Sequence, residues 1–168
     1  EKVKIIIIGN GPQEKKMHHL ADKLDLKNIE WIKHLSHPEV FEIMRQSDFL
    51  VHTSLREATS SVIPEALSLG LPVICHDSNG MSLAVDESCG IKIPLESPKV
   101  SIEGFRDALE RIILEAELLK DLKAGALRRS SQLSWDNMAY TIAVDYLNSV
   151  QNEGIGHPLT SNYEGTSN

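Results

Sequence analysis

The run from Val3 to Ile8 is made almost wholly of β-branched residues, and Gly9-Asn10-Gly11-Pro12 closes it at once. β-Branched side chains favour extended backbone, and an apolar run without polar alternation has to bury both of its faces. A strand that is buried on both faces needs helices on each side of its sheet, which is the arrangement of parallel sheets. The run therefore predicts a strand of a parallel α/β sheet.

The rest of the chain alternates short apolar runs with segments of helical periodicity. Further strands are predicted at residues 29–32, 48–52, 72–75 and 90–93. Helices are predicted at residues 13–24, 60–69 and 134–150, another helix is predicted to begin at residue 36, and two consecutive helices are predicted within residues 105–126. This alternation indicates an α/β fold with a doubly wound, Rossmann-like parallel sheet, in one domain over residues 1–150. Residues 151–168 are rich in Gly, Ser, Asn and Thr and are predicted to form a disordered tail.

Composition disfavours several classes of protein. The net charge of −7, from 17 basic and 24 acidic residues, argues against a nucleic-acid partner. Cys75 and Cys89 lack metal-ligand spacing, and no signal-peptide pattern is present, so we interpret them as reduced thiols of a cytoplasmic protein. No His, Asp and Cys cluster has the spacing of a metal site, and we expect neither a metal nor a cofactor. The apolar runs are too short to cross a bilayer.

Each polar segment that is a candidate site follows a predicted strand. These segments are residues 9–12, 33–37, 53–61 and 76–82. Ligands of doubly wound sheets bind beyond the carboxyl ends of the strands. We therefore expect the four segments to rim the same edge of the sheet.

The segment from Glu57 to Glu65 carries two carboxylates eight positions apart around a predicted helix start. The free backbone N–H groups of Ser60, Ser61 and Val62, together with the helix dipole, suit a diphosphate. Glu65, about one turn into the helix, can accept vicinal hydroxyls, and Glu57 can accept those of a second ring beyond the phosphates. A nucleotide sugar has its groups in this same order: a sugar ring, a diphosphate and a ribose. Acidic residues near helix starts are also common caps, so the pair alone leaves both interpretations open.

Around this motif the chain resembles the C-terminal, nucleotide-sugar-binding domain of retaining family-four glycosyltransferases of the GT-B fold, group 1 type. The similarity extends from about Lys2 to Leu147. The matching blocks are Ile5–Pro12, Gln46–Val51, Ser54–Glu57, Pro64–Ile74 and Ser134-Trp135. The resemblance implies one half of a GT-B enzyme. Such an enzyme transfers a sugar from a UDP-, GDP- or ADP-sugar to an acceptor with retention and without a metal, for example in surface polysaccharide synthesis.

The resemblance also implies roles for the residues that match the family's motifs. Glu65 matches the glutamate that binds the ribose hydroxyls, and residues 60–62 match the helix start that meets the phosphates. His34 and Leu35 match, by position, the loop beside the base. The residues implied for the donor sugar are Glu57, Ala58, Thr59, Gly80 and Met81.

The chain departs from the family's pattern in three places. Ala58-Thr59-Ser60 replaces the usual Gly-Phe-Gly, whose glycines permit close backbone approach to the donor, and Lys33 replaces a usual glycine. The basic pair that neutralises the leaving diphosphate in the family lies upstream of the first strand here. We therefore interpret the chain as a fragment without the N-terminal domain and the first strand, and expect it to be inactive alone. Its expected partners are a nucleotide sugar and that N-terminal domain, through which any peripheral membrane contact would form.

Two other functions stay open. One is a nucleotide-sugar 2-epimerase half-domain of the same architecture, although that family uses a different set of acidic residues and histidines. The other is a non-catalytic nucleotide-binding α/β module of flavodoxin or receiver type. A receiver would need an acidic cluster after the first strand, where this chain has Gly9-Asn10-Gly11.

Two features outside the motif carry further expectations. The histidines are interpreted as surface or loop residues, and they include His18, His19, His37, His52 and His76. The last helix has a wider apolar face than a peripheral helix needs, formed by Trp135, Met138, Ile142, Tyr146 and Val150. We hypothesise that part of this face is an interface with the N-terminal domain.

Overall fold

The structure, a computed structural model, describes residues 3–58 and 60–152. Its strands are β1 (Ile5–Ile8), β2 (Ile29–Ile32), β3 (Leu50–His52), β4 (Val73–His76) and β5 (Gly90–Ile93). Its helices are α1 (Glu14–Lys23), α2 (His37–Arg45), α3 (Val62–Ser68), α4 (Asn79–Ala84), α5 (Pro98–Leu114), α6 (Ala116–Gln132) and α7 (Trp135–Asn152). Helix α7 includes the first two residues of the predicted tail. Thr59 and residues 153–168 lie outside the described residues.

The strands are parallel and form two separate ladders. One ladder pairs β1 with β2, and in the other β4 lies between β3 and β5, with Ile74 opposite both Val51 and Ile91. Parallel strands joined by helical crossovers confirm the predicted α/β class. The sequence predicted one sheet, and the described chain has two because no strand in it bridges β1 and β3.

Strand β1 is less buried than its composition predicts. Ile5 is 40% exposed and Ile8 is 36% exposed, and Ala21 is the buried residue of α1. The prediction that β1 is buried on both faces is therefore wrong for the described chain. A run of β-branched residues indicates that the strand favours burial, but the elements that pack against it determine how far it is buried.

Strand β4 meets the expectation that β1 does not, because all four of its residues are buried. Val73 and Cys75 contribute to one apolar cluster with side chains from α3, α4 and α6. Ile74 contributes to a second cluster with side chains from α5 and α6. Helices on both faces of a parallel sheet are the doubly wound arrangement that the sequence predicted.

Local signals at the helix starts account for the predicted starts of α2 and α7. Ser36 and Glu39 form a capping box at α2, where the Ser36 N–H donates to Glu39 Oε2 at 2.7 Å. Ser134 caps α7 as predicted, since its Oγ accepts the Asn137 N–H at 3.3 Å. Helix α3 begins at Val62, two residues later than predicted.

Ser61, the residue before α3, does not act as a side-chain cap. A capping residue needs extended backbone to aim its side chain at the free N–H groups of the helix. Ser61 already has helical angles, with φ −64° and ψ −29°, and its side chain makes no capping hydrogen bond.

Helix α7 leaves an apolar face open to solvent. The exposed fractions are 85% for Trp135, 44% for Met138, 62% for Ile142, 70% for Tyr146 and 53% for Val150. These are the five side chains of the hypothesised interface, and each is exposed. No helix in the described ranges has both the length and the apolar character required to cross a membrane.

Gly125 lies where α6 passes the turn that precedes β5. A Cβ added there would overlap the carbonyl oxygen of Ser88. Gly125→Ala is therefore expected to lower the free energy of unfolding by about 1–3 kcal/mol, measured by urea denaturation. Gly11→Ala is the matched control, because its Cβ would meet nothing within 4 Å, and we expect a change within about 0.5 kcal/mol. Equal stability of the two variants would contradict this account of the packing.

Candidate functional site

The carboxyl ends of the strands bring the predicted segments together in pairs. The Gly80 N–H donates to the Ala58 carbonyl at 3.0 Å, which joins the start of α4 to the loop after β3. His37 Nε2 lies 3.3 Å from Glu65 Oε1, which joins the start of α2 to α3. These contacts connect two of the predicted segments, 33–37 and 76–82, to Glu65 and to the loop that holds Glu57.

Glu57 lies in the loop after β3 and is bonded to the last residue of that strand. His52 Nε2 donates to Glu57 Oε2 at 2.9 Å, and the two side chains are 16% and 33% exposed. This hydrogen bond is the main reason that the pKa of Glu57 lies below its ordinary value, and the Ser54 and Ser60 hydroxyls lower it further, against a smaller effect of burial. Glu57 is thus held as an oriented carboxylate.

Glu65 lies in the first turn of α3 and has its own histidine partner. His37 is the first residue of α2, and its ring also packs on Phe41 with 4.8 Å between centroids. The His37 side chain is 67% exposed, whereas that of Glu65 is 26% exposed. Both motif carboxylates are therefore oriented by an imidazole, and in this second pair the imidazole is the more solvated partner.

The predicted phosphate segment, Ser60 to Val62, leads into α3. The Glu65 N–H already donates to the Ser61 carbonyl at 3.2 Å, so the N–H groups left for an anion precede Glu65. The Val62 side chain packs against the first apolar cluster, which fixes the start of the helix. A phosphate role for this segment stays a prediction.

Gly80 and Met81, predicted to contact the donor sugar, have structural contacts of their own. The Gly80 N–H is engaged by the Ala58 carbonyl, and the Met81 side chain is 1% exposed within the first apolar cluster. In this conformation they hold the loop and the core together. Their contact with a sugar stays a prediction.

The predicted base-adjacent residues lie between β2 and α2. His34 is exposed and Leu35 is half-buried. Residues 9–12 stay with this ladder, since the Gly9 N–H donates to the Ile32 carbonyl at 2.8 Å. Lys33, the departure from the family's glycine, forms an ion pair with Glu14 at 3.3 Å.

The interpretation of the histidines as surface or loop residues is wrong at two positions. His52 and His76 are the last residues of β3 and β4, and His76 is 2% exposed. The sequence did contain a signal, because His52 closes the predicted strand 48–52 and His76 directly follows the apolar run predicted as the strand 72–75.

A second polar group near this edge was also missed. Asp77 accepts from the Ser82 hydroxyl, and Lys92 Nζ lies 3.4 Å from Asp77 Oδ1 and 3.4 Å from the Ser82 carbonyl. The Ser82 hydrogen bond is the main cause of the lowered pKa of Asp77, and Lys92 adds to it. The group braces α4 against β5, and only the tertiary structure reveals it.

The cysteines are free, as expected, and both are buried. Burial raises the pKa of Cys75 to about 11, so its thiol is a poor ligand and nucleophile. Within the residues that the structure describes, no group of three or more His, Cys, Asp and Glu side chains is arranged to hold a metal.

The bond from His52 predicts how Glu57 titrates. His52→Leu removes the donor, so the pKa of Glu57 is expected to rise toward its ordinary value of 4.5, followed by carboxyl ¹³C NMR. Because the folded-state pKa is depressed, the bond stabilises the fold above the ordinary pKa, and this contribution is lost as the pH falls through the folded value. His19→Leu, at an exposed position of α1, should leave the titration unchanged. An unaltered Glu57 titration in His52→Leu would contradict the assignment.

Sequence comparison places the chain among known proteins. A family model described as "Glycosyl transferases group 1" matches residues 1–129. A D-inositol 3-phosphate glycosyltransferase of Streptomyces bingchenggensis is 28% identical over 154 residues, which are 87% of this chain and 33% of that protein. A protein of the same name from Jonesia denitrificans is 26% identical over 71% of this chain and 28% of its own length. The chain spans about a third or less of the length of these relatives.

Solved structures share the fold at low sequence identity. Sucrose-phosphate synthase from Thermosynechococcus elongatus has a TM-score of 0.71 at 19% identity, over 89% of this chain and 39% of that one. Anabaena HepE in complex with UDP and glucose has a TM-score of 0.70 at 22% identity, over 88% of this chain and 41% of that one. The C-terminal domain of a glycosyl transferase group 1 family protein from Francisella tularensis has a TM-score of 0.67 at 20% identity, over 77% of this chain and 69% of that one. With the family match over more than half of its length, the chain belongs to the group 1 glycosyl transferases of the GT-B fold.

Proposed function

We propose that this chain is the donor-binding domain of a retaining glycosyltransferase and binds a nucleotide-diphosphate sugar. The observation that carries the proposal is the placement of two histidine-held carboxylates, Glu57 and Glu65, on either side of the start of α3. A ligand with hydroxyl groups at both ends and phosphates between them matches this arrangement. The complex of Anabaena HepE with UDP and glucose, in a similar fold, supports the same class of ligand.

Each carboxylate has one end of the ligand in this proposal. Glu65 accepts the ribose hydroxyls: its Oε1 lies beside His37, and its Oε2 has no partner among the described residues. Glu57 accepts hydroxyls of the sugar, and its lowered pKa keeps it ionised for that role. The base, which is uracil, guanine or adenine, lies toward His34 and Leu35.

The phosphates lie between the two carboxylates, against the backbone N–H groups from Ser60 to Val62. Cleavage of the bond between the sugar and the β-phosphate leaves one further negative charge on the diphosphate, and preorganised cations are the usual means to stabilise it. Arg56, beside Glu57, is exposed and has no ion pair in the described part of the chain. We propose that the cations come from the chain upstream of β1, and that no metal or cofactor takes part.

The proposal includes an upstream strand that pairs between β1 and β3. Ile5 and Gly9 direct their N–H groups to β2, so the alternate N–H groups of Ile6 and Ile8 face the free edge of β1. The Val51 N–H faces the free edge of β3 by the same alternation, since that of Leu50 is bonded to Pro72. One parallel strand would satisfy both edges and cover the exposed isoleucines.

The exposed face of α7 fits a further part of the proposal, the contact with the N-terminal domain. Large apolar side chains exposed together on one helix face mark an interaction surface. The acceptor site and any peripheral contact with the inner face of a membrane belong to that domain.

We place the whole protein in the cytoplasm, with a role in surface polysaccharide synthesis. The family match favours glycosyl transfer over the function of a 2-epimerase or of a non-catalytic nucleotide-binding module.

Donor binding is tested by titrating the chain with UDP-glucose, GDP-mannose and ADP-glucose, followed by NMR and thermal unfolding. Binding to the folded state is expected to raise the midpoint of unfolding for at least one of them. Glu65→Gln is expected to weaken that binding about tenfold or more, because hydrogen bonds to a charged carboxylate are lost. Glu110→Gln, at an exposed position of α5, is the charge-matched control and should bind like the wild type. Absence of binding at millimolar concentration, or equal affinity of Glu65→Gln, would contradict the proposal.

Transfer is tested by comparing this chain with a longer polypeptide that includes the upstream domain. The chain alone is expected to show negligible turnover, and the longer polypeptide to show turnover with retention. Hydrogen exchange at the amides of Ile6, Ile8 and Val51 should slow by at least about tenfold in the longer polypeptide, because the new strand accepts their hydrogen bonds. Robust turnover by this chain alone, or unchanged exchange at these amides, would contradict the division of roles.

A further inference from the structure

His76 is a polar residue at the end of the most buried strand. It is 2% exposed, and no other polar or charged side chain in residues 3–58 and 60–150 is buried to this degree. Val73 to Cys75 before it are apolar, and Phe105 of α5 meets its ring edge-on at 5.0 Å between centroids. A polar group in such surroundings is stable only when its hydrogen-bonding atoms have partners.

Both ring nitrogens of His76 have partners, and these partners come from other elements. Nδ1 lies 3.2 Å from the carbonyl oxygen of Ser54, and Nε2 lies 3.1 Å from the hydroxyl oxygen of Ser101. A carbonyl oxygen can only accept, so Nδ1 carries a hydrogen and donates it to Ser54. The imidazole thus connects β4, the loop after β3 and α5.

The loop after β3 is anchored at a second point. The Gly80 N–H donates to the Ala58 carbonyl at 3.0 Å. Glu57 lies between the two anchored carbonyls, those of Ser54 and Ala58, and its own carboxylate is bonded to His52. Both backbone anchors come from β4 and the helix that follows it.

We infer that His76 is a positioning residue for Glu57. By holding the Ser54 carbonyl, it sets the path on which the loop leaves β3, and hence where Glu57 presents its carboxylate. The inference rests on the proposed function, in which Glu57 binds the sugar of the donor. It adds that the sugar end depends on this buried histidine, whereas Glu65 at the ribose end is held by α3 and His37.

A histidine that only packs the core would have different consequences. Its loss would lower stability, and would weaken every ligand of the site to the same degree. Loss of a positioning histidine would weaken binding of the sugar nucleotide, because contacts to its sugar are lost. Binding of the nucleoside diphosphate, which has no sugar at that end, would be unchanged. The ratio of the two dissociation constants therefore separates the roles.

The first test needs no ligand. Long-range ¹H–¹⁵N NMR of the chain is expected to show a hydrogen on His76 Nδ1. His76→Gln reaches only the Nε2 position, so amide exchange at residues 54–58 should accelerate about fivefold to tenfold, the effect of one hydrogen bond. His76→Asn can place its amide nitrogen at the Nδ1 position and is expected to restore slow exchange. A ring without a hydrogen on Nδ1, or unchanged exchange in His76→Gln, would overturn the inference.

The second test compares the sugar nucleotide that binds tightest, among UDP-glucose, GDP-mannose and ADP-glucose, with its nucleoside diphosphate. By calorimetry, His76→Gln is expected to weaken the sugar nucleotide about fivefold to tenfold and the diphosphate by less than about twofold. Ile112→Val, a buried change in the second cluster, controls for stability and should leave both unchanged. In a Glu57→Gln background, His76→Gln should have no further effect, because the two act through one contact.

The outcomes distinguish the inference from the proposed function. If the wild-type chain binds none of the three sugar nucleotides, the proposed function fails, and the sugar-binding role of His76 fails with it. If the wild type binds and His76→Gln keeps the same ratio of dissociation constants, the inference fails while the proposed function stands. Equal weakening of both ligands would identify His76 as a packing residue and overturn the inference.

Discussion

Burial of β4 on both faces is the constraint on which the site depends. Val73 and Cys75 contribute to one apolar cluster and Ile74 to the other, so a shift by one residue would exchange the two sets. The carboxyl end of β4 is therefore fixed in space. The loop after β3 is anchored to this end through His76 and Gly80. The fixed position of β4 therefore also fixes the path of the loop that holds Glu57.

The two motif carboxylates are oriented by histidines from different elements. Glu57 is paired with the end of β3 and Glu65 with the start of α2, so the relative placement of the two depends on both ladders. The carboxylates themselves would repel a diphosphate, and the chain carries a net charge of −7. In the proposed complex, backbone N–H groups at the start of α3 would offset part of this repulsion. The cations proposed upstream of β1 would supply the rest.

Much of the fold was predictable because its signals are local. The apolar runs of β2, β4 and β5 and the capping residues Ser36 and Ser134 are read within a few positions of the chain. The start of α3 was predicted less well, since the sequence placed it at residue 60 and the helix begins at Val62. The burial of β1 was overestimated for another reason, because burial depends on which elements pack against the strand, and Ile5 and Ile8 are exposed in the described chain.

Sequence alone was sufficient for the α/β class and for the order of all five strands and of every helix except α4, which was not predicted, because these signals follow from residue type and spacing along the chain. Only the tertiary structure showed that each carboxylate has an imidazole partner and that His76 anchors the loop between β3 and β4. These contacts join residues up to 28 positions apart, and the His76 anchor joins two strand ends. No local pattern encodes such pairs, because the packing of separate elements determines which side chains meet.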